Sequence, residues 1–196
     1  ARQGSGSASR SLHGGYVEWR KGEAADGSDS IAVPLADASW WDLRVLVCVL
    51  ARGRKDIGSR EGMALTAKTS PMYQTWIDAQ EPDLAAAREA LQMRDFQALG
   101  EVAEASCMKM VSTWLTTRPA LHYWRPETLG VIQAVTALRG EGLPLFFTTD
   151  AGPHVKVICP GEAYMEVEAR LRALPGVLEV LHCPVGGPAR VEVQGD

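Results

Sequence analysis

Glycine, serine and arginine are concentrated in the segment Gly4-Ser-Gly-Ser-Ala-Ser-Arg-Ser11 near the start of the chain. Glycines let a backbone approach a ligand closely, and serine hydroxyls can donate hydrogen bonds. If Ser7 or Ser9 lies in the first turn of a helix, exposed backbone amides there would face an anion. Arg10 could then clamp a carboxylate or a phosphate. The composition also fits a flexible Gly-Ser linker, so both interpretations stay open on these residues alone.

A second polar segment, Lys55-Asp-Ile-Gly-Ser-Arg-Glu-Gly-Met63, follows the nearly continuous apolar run 43–50. That run is typical of a strand buried on both faces. Ser59 is expected to be the N-cap of a helix, with Arg60 in its first turn and able to reach an anion. The alternative is an ordinary capped helix that binds nothing.

A third candidate is the segment Thr148-Thr-Asp-Ala-Gly-Pro-His154, in which Asp150 closes an apolar strand before a Gly-Pro turn. A carboxylate held rigidly at such a position could orient or deprotonate a hydroxyl group. The alternative is a simple Asx-type turn. We interpret His154 as the residue that starts the next strand.

The pattern of apolar residues predicts the elements that must position these segments. Asp95 is expected to cap a helix whose buried stripe holds Phe96, Leu99, Ala103, Met110 and Trp114. Pro126 is expected to begin a further helix. Strands are predicted over 15–19, 31–33, 43–50, 145–149, 155–159 and 177–182, and helices from 59 to Pro71, across 83–115, over 126–138 and over 161–173. This order predicts an α+β fold with an antiparallel sheet layered with helices.

Composition excludes several classes of protein. The 196 residues, 46% hydrophobic and 22% charged, suit a folded core and allow one domain plus part of another. No apolar run approaches the roughly 20 residues of a membrane span. With a net charge of −4, general attraction to nucleic acid or to an anionic membrane is not expected. Two stretches are nevertheless basic, 1–20 and 51–60.

The four cysteines are dispersed and contain no CxxC pair, so the sequence predicts neither a zinc site nor a disulfide framework. Cys48 and Cys159 lie in apolar runs and are expected to be small core residues. No secretory signal is visible at the start. A reducing cytoplasm is the simplest expectation.

Taken together, the three segments GSGSASRSLHGGYVEW, KDIGSREGMALTAKTSPMYQTWI and PLFFTTDAGPHVKV resemble the diphosphomevalonate decarboxylase family of the GHMP kinase superfamily. The resemblance runs over almost the whole chain. It implies a GHMP-kinase-type C-terminal domain with a ferredoxin-like element over 41–196, and the tail end of the N-terminal domain over 1–40. The chain thus resembles the C-terminal portion of the family, without its ATP phosphate loop, and is not expected to turn over alone. The missing N-terminal portion is therefore an expected partner, and a homodimer is a further implication.

The family converts mevalonate 5-diphosphate, with ATP and Mg²⁺, into isopentenyl diphosphate, carbon dioxide, ADP and phosphate. By resemblance, Asp150 is the catalytic aspartate beside the substrate's tertiary 3-hydroxyl. Arg10 matches the arginine that holds the carboxylate and phosphate region. The remaining substrate-binding residues implied by the motifs are Ser5, Ser7, Ser59, Arg60 and Met63.

The sequence departs from the family pattern at two positions: His154 stands where Asn is usual, and Ser9 where Cys is frequent. Decarboxylases that act on mevalonate 5-phosphate share much of the pattern, so His154 leaves the substrate open. Residues 5–10 and 59–60, which would bind the diphosphate, otherwise keep the family pattern. This favours mevalonate 5-diphosphate as the substrate. Another GHMP small-molecule kinase and a non-catalytic binding module are the alternatives.

Overall fold

The computed structural model describes residues 6–53 and 57–190. The chain divides into two compact units, one formed by Ala1–Leu43 with Cys183–Asp196 and the other by Arg44–His182. We call them the first and the second unit. The domain division after residue 40 that the family resemblance implies stays a prediction.

The first unit contains a 3₁₀ helix over Gly6–Leu12 and two antiparallel strands, β1 (Tyr16–Trp19) and β2 (Ala32–Ala36). The second strand was expected to end before Pro34, but it continues through this residue, which lies opposite Val17. A proline lacks the amide that a central strand needs, and a two-stranded sheet tolerates it because both strands are edges.

The sheet of the second unit has the strand order β4-β5-β3-β6. Its strands are β3 (Leu43–Val49), β4 (Phe146–Thr149), β5 (Val155–Pro160) and β6 (Glu179–Pro184). Strands β4 and β5 form an antiparallel hairpin in which Thr149 lies opposite Val155. Cys48 on β3 and Cys159 on β5 are fully buried, so their prediction as core residues is confirmed.

Six helices are seen in the described part of the chain. They are α1 (Ser59–Thr69), α2 (Tyr73–Asp78), α3 (Gln80–Met93), α4 (Phe96–Leu115), α5 (Pro126–Gly140) and α6 (Tyr164–Arg172). Helix α4 contacts β4, α5 contacts both β4 and β5, and α6 contacts β5. The α+β class is therefore confirmed. No helix among these residues has the length and apolarity needed to cross a membrane.

Local capping signals were informative at two helices. The Asp95 side chain accepts a hydrogen bond from Ala98 N at 2.9 Å, so its prediction as the cap of α4 is confirmed. Helix α5 begins at Pro126 as expected. The prediction for α1 was wrong by one residue, because Gly58 is the N-cap and Ser59 is the first helical residue. Helix α2 was not predicted.

The predicted stripe on α4 is only partly confirmed. Trp114 is buried, whereas Phe96, Leu99, Ala103 and Met110 are half-buried. The other buried residues of α4 are Gly100, Cys107, Val111 and Thr113. The buried face is therefore shifted around the helix, because α4 approaches β4 closely. A Cβ on Gly100 would lie only 2.9 Å from Phe146 Cδ1, so the contact requires a glycine there.

Candidate functional site

Residues Gly6–Leu12, which include most of the Gly-Ser segment, form the 3₁₀ helix of the first unit. Ser7 lies in this helix, and Ser5 lies outside the described residues. The Arg10 side chain is exposed and borders an open depression together with Ala8 and Ser11. An exposed guanidinium is a permanent cation with five donors, so Arg10 can offer two parallel hydrogen bonds to a carboxylate or phosphate.

The basic stretch 1–20 is partly neutralised within the first unit. Arg20 Nε lies 3.4 Å from Glu18 Oε1, and the Glu18 side chain is buried. In the other basic stretch, Arg54 and Lys55 lie outside the described residues, and Arg52 is exposed.

Ser59, Arg60 and Met63 share one face at the N-terminal end of α1, because positions three and four apart on a helix are neighbours. Ser59 and Arg60 are exposed, and Met63 is 64% exposed. Gly62 and Thr66, which lie beside these residues on the helix, are buried. The structure thus presents these three predicted substrate-binding residues together on the surface of the second unit.

Asp150 follows the last residue of β4, and its side chain is 82% exposed. Its carboxylate accepts a hydrogen bond from Lys156 Nζ, and Lys156 is 25% exposed. The two residues belong to facing strand ends of one hairpin, since Thr148 lies opposite Lys156. This ion pair keeps the Asp150 carboxylate beside a cation while leaving most of it accessible.

The backbone before Asp150 is fixed by the buried side chain of Thr149. Trp124 Nε1 donates to Thr149 Oγ1 at 3.3 Å, and Cys107 Sγ lies 3.3 Å from the same oxygen. The amide of Thr149 also donates to Cys107 Sγ at 3.3 Å. Because buried polar atoms are costly to leave unsatisfied, these contacts hold the strand end in one position. Asp150 therefore combines a rigid backbone with an exposed carboxylate.

His154 precedes β5, as expected for a residue that starts a strand, but it also makes a distant contact. Its Nδ1 accepts a hydrogen bond from Leu50 N at 3.2 Å, which links the hairpin turn to the end of β3. The donor lies 104 positions away along the chain, so no local sequence pattern indicates this contact.

Lys156 was not identified from the sequence, although a signal for it was present. Once 145–149 and 155–159 are predicted as antiparallel strands joined by a short turn, residues 150 and 156 must lie near each other. An acid and a base at these positions are candidates for an ion pair. The contacts of Thr149 with Cys107 and Trp124 carried no comparable signal.

Ser7 and Arg10 belong to the first unit, and Ser59, Arg60, Met63 and Asp150 belong to the second. A single site built from all three segments stays a prediction. Among residues 6–53 and 57–190, no group of three or more His, Cys, Asp or Glu side chains could hold a metal ion.

Comparison with known proteins identifies two matching family models. Residues 45–182 match the mevalonate 5-diphosphate decarboxylase C-terminal domain, and residues 1–32 match the diphosphomevalonate decarboxylase-like N-terminal domain. Among curated relatives, diphosphomevalonate decarboxylase from Bos taurus is 37% identical over 177 residues. That alignment covers 88% of this chain and 44% of the relative. The Homo sapiens relative is 35% identical, with 86% of this chain and 43% of the relative covered.

Solved structures give the same result. Mevalonate diphosphate decarboxylase from Staphylococcus aureus superposes with a TM-score of 0.88 at 37% identity, covering 95% of this chain and 56% of that one. A structure described as MDDEF in complex with MVAPP, AMPPCP and magnesium has a TM-score of 0.86 at 36% identity, covering 95% and 57%. The chain thus spans about half the length of these proteins and has their GHMP-kinase-type fold. With its C-terminal domain model matched over most of its length, the chain belongs to the mevalonate 5-diphosphate decarboxylase family.

Proposed function

We propose that this chain is part of an ATP-dependent diphosphomevalonate decarboxylase. The enzyme would convert mevalonate 5-diphosphate and ATP into isopentenyl diphosphate, carbon dioxide, ADP and phosphate. The observation that carries the proposal is the exposed Asp150 carboxylate at the rigid end of β4, in a chain that belongs to this family. A carboxylate held in this way is suited to accept a proton from a bound hydroxyl.

In the proposed reaction, Asp150 orients or deprotonates the tertiary 3-hydroxyl of the substrate. The hydroxyl oxygen then attacks the γ-phosphorus of ATP, and ADP leaves. The tertiary phosphate then leaves, and the carbon that carried it becomes electron-poor. The bond to the carboxylate breaks, its electron pair forms the new carbon–carbon double bond, and carbon dioxide departs. The role of the protein in such a transfer is mainly positioning and electrostatic stabilisation.

The substrate carries a carboxylate and a diphosphate, and the proposed binding residues supply matching donors. Arg10 would hold the carboxylate and phosphate region, with Ser5 and Ser7 adding contacts from the same segment. Arg60 and Ser59 would bind the diphosphate from the exposed face of α1, next to Met63. This assignment is supported by the exposure of Arg10, Ser59 and Arg60.

ATP and Mg²⁺ are proposed for the whole enzyme because a structural relative is described in complex with MVAPP, AMPPCP and magnesium. The described part of this chain offers no group of three metal-binding side chains, so we assign none of its residues to Mg²⁺. A homodimer and an interaction with the N-terminal portion of the same enzyme are proposed from the family resemblance. A cytoplasmic location is proposed because all four cysteines are free thiols.

The decisive experiment replaces Asp150 with Asn in the full-length protein that carries this chain. We expect carbon dioxide release from carboxyl-labelled mevalonate 5-diphosphate to fall by about a hundredfold to ten-thousandfold, while substrate binding measured by calorimetry persists. Asp78→Asn is the matched control, because Asp78 is also an exposed aspartate that accepts a side-chain hydrogen bond, from Gln74. Near-normal turnover by the Asp150→Asn protein would refute the assignment.

The same assay separates the alternatives. Phosphorylation of the substrate without carbon dioxide release would identify a GHMP small-molecule kinase. A preference for mevalonate 5-phosphate would identify the monophosphate decarboxylase. Binding of substrate without any turnover by the full-length wild-type protein would identify a non-catalytic binding module.

A further inference from the structure

Residues 186–189 lie against the segment that follows the 3₁₀ helix of the first unit. Ala189 N donates a hydrogen bond to Leu12 O at 3.3 Å, and Gly15 N donates one to Gly186 O at 2.9 Å. These bonds pair residue 12 with 189 and residue 15 with 186, so the two segments run antiparallel. We call residues 186–189 the tail. The tail and the segment that it contacts both belong to the first unit.

Between the two hydrogen bonds, Gly14 packs directly on the backbone of the tail. A Cβ on Gly14 would lie 2.5 Å from Pro188 N and 2.7 Å from Gly187 C, closer than Cβ atoms approach other atoms in proteins. Gly15 has a φ of 74°, whereas Gly14 is not among the residues with a positive φ. The backbone conformation of Gly14 therefore does not by itself require a glycine. The close approach of the tail does.

The tail contacts bear on Arg10, the residue proposed to hold the carboxylate and phosphate region of the substrate. On one side of Arg10, Ser9 is buried, with 7% of its surface exposed. On the other side, His13 N donates to Arg10 O at 3.0 Å, and the tail holds Leu12. Because the Arg10 side chain is exposed, its direction depends on the backbone that carries it. The tail supplies one of the contacts that fix this backbone.

Residues 12–15 connect the 3₁₀ helix, which ends at Leu12, to β1, which begins at Tyr16. The tail bonds the first and the last residue of this connection. A connection that is fixed before the substrate arrives need not be ordered on binding, which lowers the entropic cost of binding. The tail is therefore expected to affect the affinity for the substrate.

We propose that the tail is a positioning element of the substrate site, which holds residues 12–15 and thereby directs Arg10 toward the carboxylate and phosphate region of the substrate. This inference rests on the proposed function, because it concerns the binding of mevalonate 5-diphosphate. The tail acts through the backbone of residues 12–15 and does not itself touch the substrate.

The first test compares two glycine substitutions in the full-length protein. Gly14→Ala places a Cβ against the tail, so we expect KM and the calorimetric Kd for mevalonate 5-diphosphate to rise at least about tenfold, because a small displacement of a positioning group is costly. The kcat for carbon dioxide release should change little, as when binding shared by the ground state and the transition state is lost. Gly187→Ala is the matched control, since a Cβ there meets no atom of the described residues within 4 Å. Equal KM values for the two variants would overturn the proposal.

A second pair of variants tests the hydrogen bond to Leu12 O. Ala189→Pro removes the amide that donates this bond, whereas Ala189→Ser keeps it. We expect KM to rise in Ala189→Pro and to stay at the wild-type value in Ala189→Ser. Equal KM values for these two variants would contradict the proposal.

The double variant Gly14→Ala/Ala189→Pro tests whether both substitutions act through the tail. If they disrupt the same contact, the double variant should bind the substrate only slightly more weakly than the weaker of the two single variants. Fully additive losses of affinity would show that Gly14→Ala acts on the substrate segment directly, and would count against the tail.

Structural controls separate positioning from a loss of folding. Far-UV circular dichroism and thermal melting of each variant without substrate establish that the fold is intact. If Gly14→Ala does not fold, the comparison of Ala189→Pro with Ala189→Ser decides. Backbone hydrogen exchange over residues 6–15 should be faster in Gly14→Ala than in Gly187→Ala. Faster exchange with an unchanged KM would show that the contact has no role in the site, which would overturn the proposal.

Failure of this proposal and failure of the proposed function give different results. If the wild type binds mevalonate 5-diphosphate without releasing carbon dioxide, and Gly14→Ala weakens that binding, the decarboxylase proposal fails and the role of the tail stands. If all the variants release carbon dioxide with the wild-type KM, the role of the tail fails and the decarboxylase proposal stands. No binding of mevalonate 5-diphosphate by the wild type would overturn both.

Discussion

Lys156 Nζ donates a hydrogen bond to the carboxylate of Asp150, and the two residues flank the turn of the β4–β5 hairpin. The lysine is three-quarters buried, whereas the aspartate is mostly exposed. The buried partner therefore holds the orientation of the exposed one. This relationship gives Asp150 a fixed direction that its own exposed position would not provide.

We expect Lys156→Met, in the full-length protein, to lower kcat for carbon dioxide release by about tenfold while KM for mevalonate 5-diphosphate changes little. The reason is that a charge-assisted hydrogen bond which orients the carboxylate is lost, worth about 1.5–3 kcal/mol in typical cases. Lys156→Arg should restore most of kcat, because it keeps a cationic donor. A rise in KM alone, or no rescue by Arg, would contradict a positioning role.

Gly62→Ala should destabilise the second unit. A Cβ at position 62 would lie 2.1 Å from Tyr123 Oη, and the rigid phenol ring cannot retreat as a flexible chain would. We expect a loss of about 1–3 kcal/mol in the free energy of unfolding, measured by urea denaturation.

Removal of the hydroxyl supplies the control for that experiment. In Gly62→Ala/Tyr123→Phe the nearest ring carbon, Cζ, would be 3.3 Å from the new Cβ, a tight but tolerable contact. The loss of unfolding free energy caused by Gly62→Ala should therefore be much smaller in the Tyr123→Phe background than in the wild-type protein. If the loss in the double variant equals the sum of the losses in the two single variants, the clash does not involve the Tyr123 hydroxyl.

Thr149→Val should also lower stability, because it removes the oxygen to which Trp124 Nε1 donates and which Cys107 Sγ contacts. Leaving this half-buried indole donor without its protein partner costs about 1 kcal/mol. Thr136→Val is the matched control, since Thr136 is exposed on α5 and bonds only locally to Ile132 O in the described contacts. Equal effects of the two substitutions would disprove a special role for Thr149.

Asp95→Ala should cost about 1 kcal/mol through loss of the N-cap bond to Ala98 N. Asp95→Asn should cost much less, because asparagine also offers a capping oxygen. Thermal melting followed by circular dichroism at 222 nm distinguishes the two variants. A melting temperature of Asp95→Ala equal to that of the wild type would show that the cap is dispensable.

Thiol chemistry provides a pH-dependent test. Burial raises the pKa of the Cys48 thiol from 9.0 to about 12. At pH 8 this thiol stays protonated, and Cys107 and Cys159 are buried as well, so exposed Cys183 should be the one fast site of reaction with a disulfide reagent. Mass spectrometry of the early product identifies the labelled residue, and early labelling of Cys48 would contradict the burial.

The raised pKa of Cys48 also has a consequence for stability. Its folded-state pKa exceeds that of the unfolded chain, so the thiol's contribution is fully present below pH 9 and is lost as the pH rises from 9 towards 12. Cys48→Ala should lack this part of the alkaline decline in unfolding free energy. An identical pH dependence in the variant and the wild type would show that Cys48 plays no part in it.

The sequence by itself determined the features that depend on neighbouring residues. Strand patterning and helix capping are local interactions, so the sequence predicts them directly. The features predicted in this way were strand β3, the strands of the β4–β5 hairpin, the cap at Asp95 and the start of α5 at Pro126. The same holds for the motifs that indicated the family. Helix α2 and the burial of α4 could not be predicted in this way, since the first lacks a cap signal and the second depends on how Gly100 meets Phe146.

Only the tertiary structure decided which distant side chains meet. The contacts of Thr149 with Cys107 and Trp124, and the link from His154 to Leu50, join residues that are 25 to 104 positions apart. Such contacts form when helices and strands pack together. The burial that stabilises them exists only once the whole sheet and its helices have assembled, so no local sequence pattern encodes them.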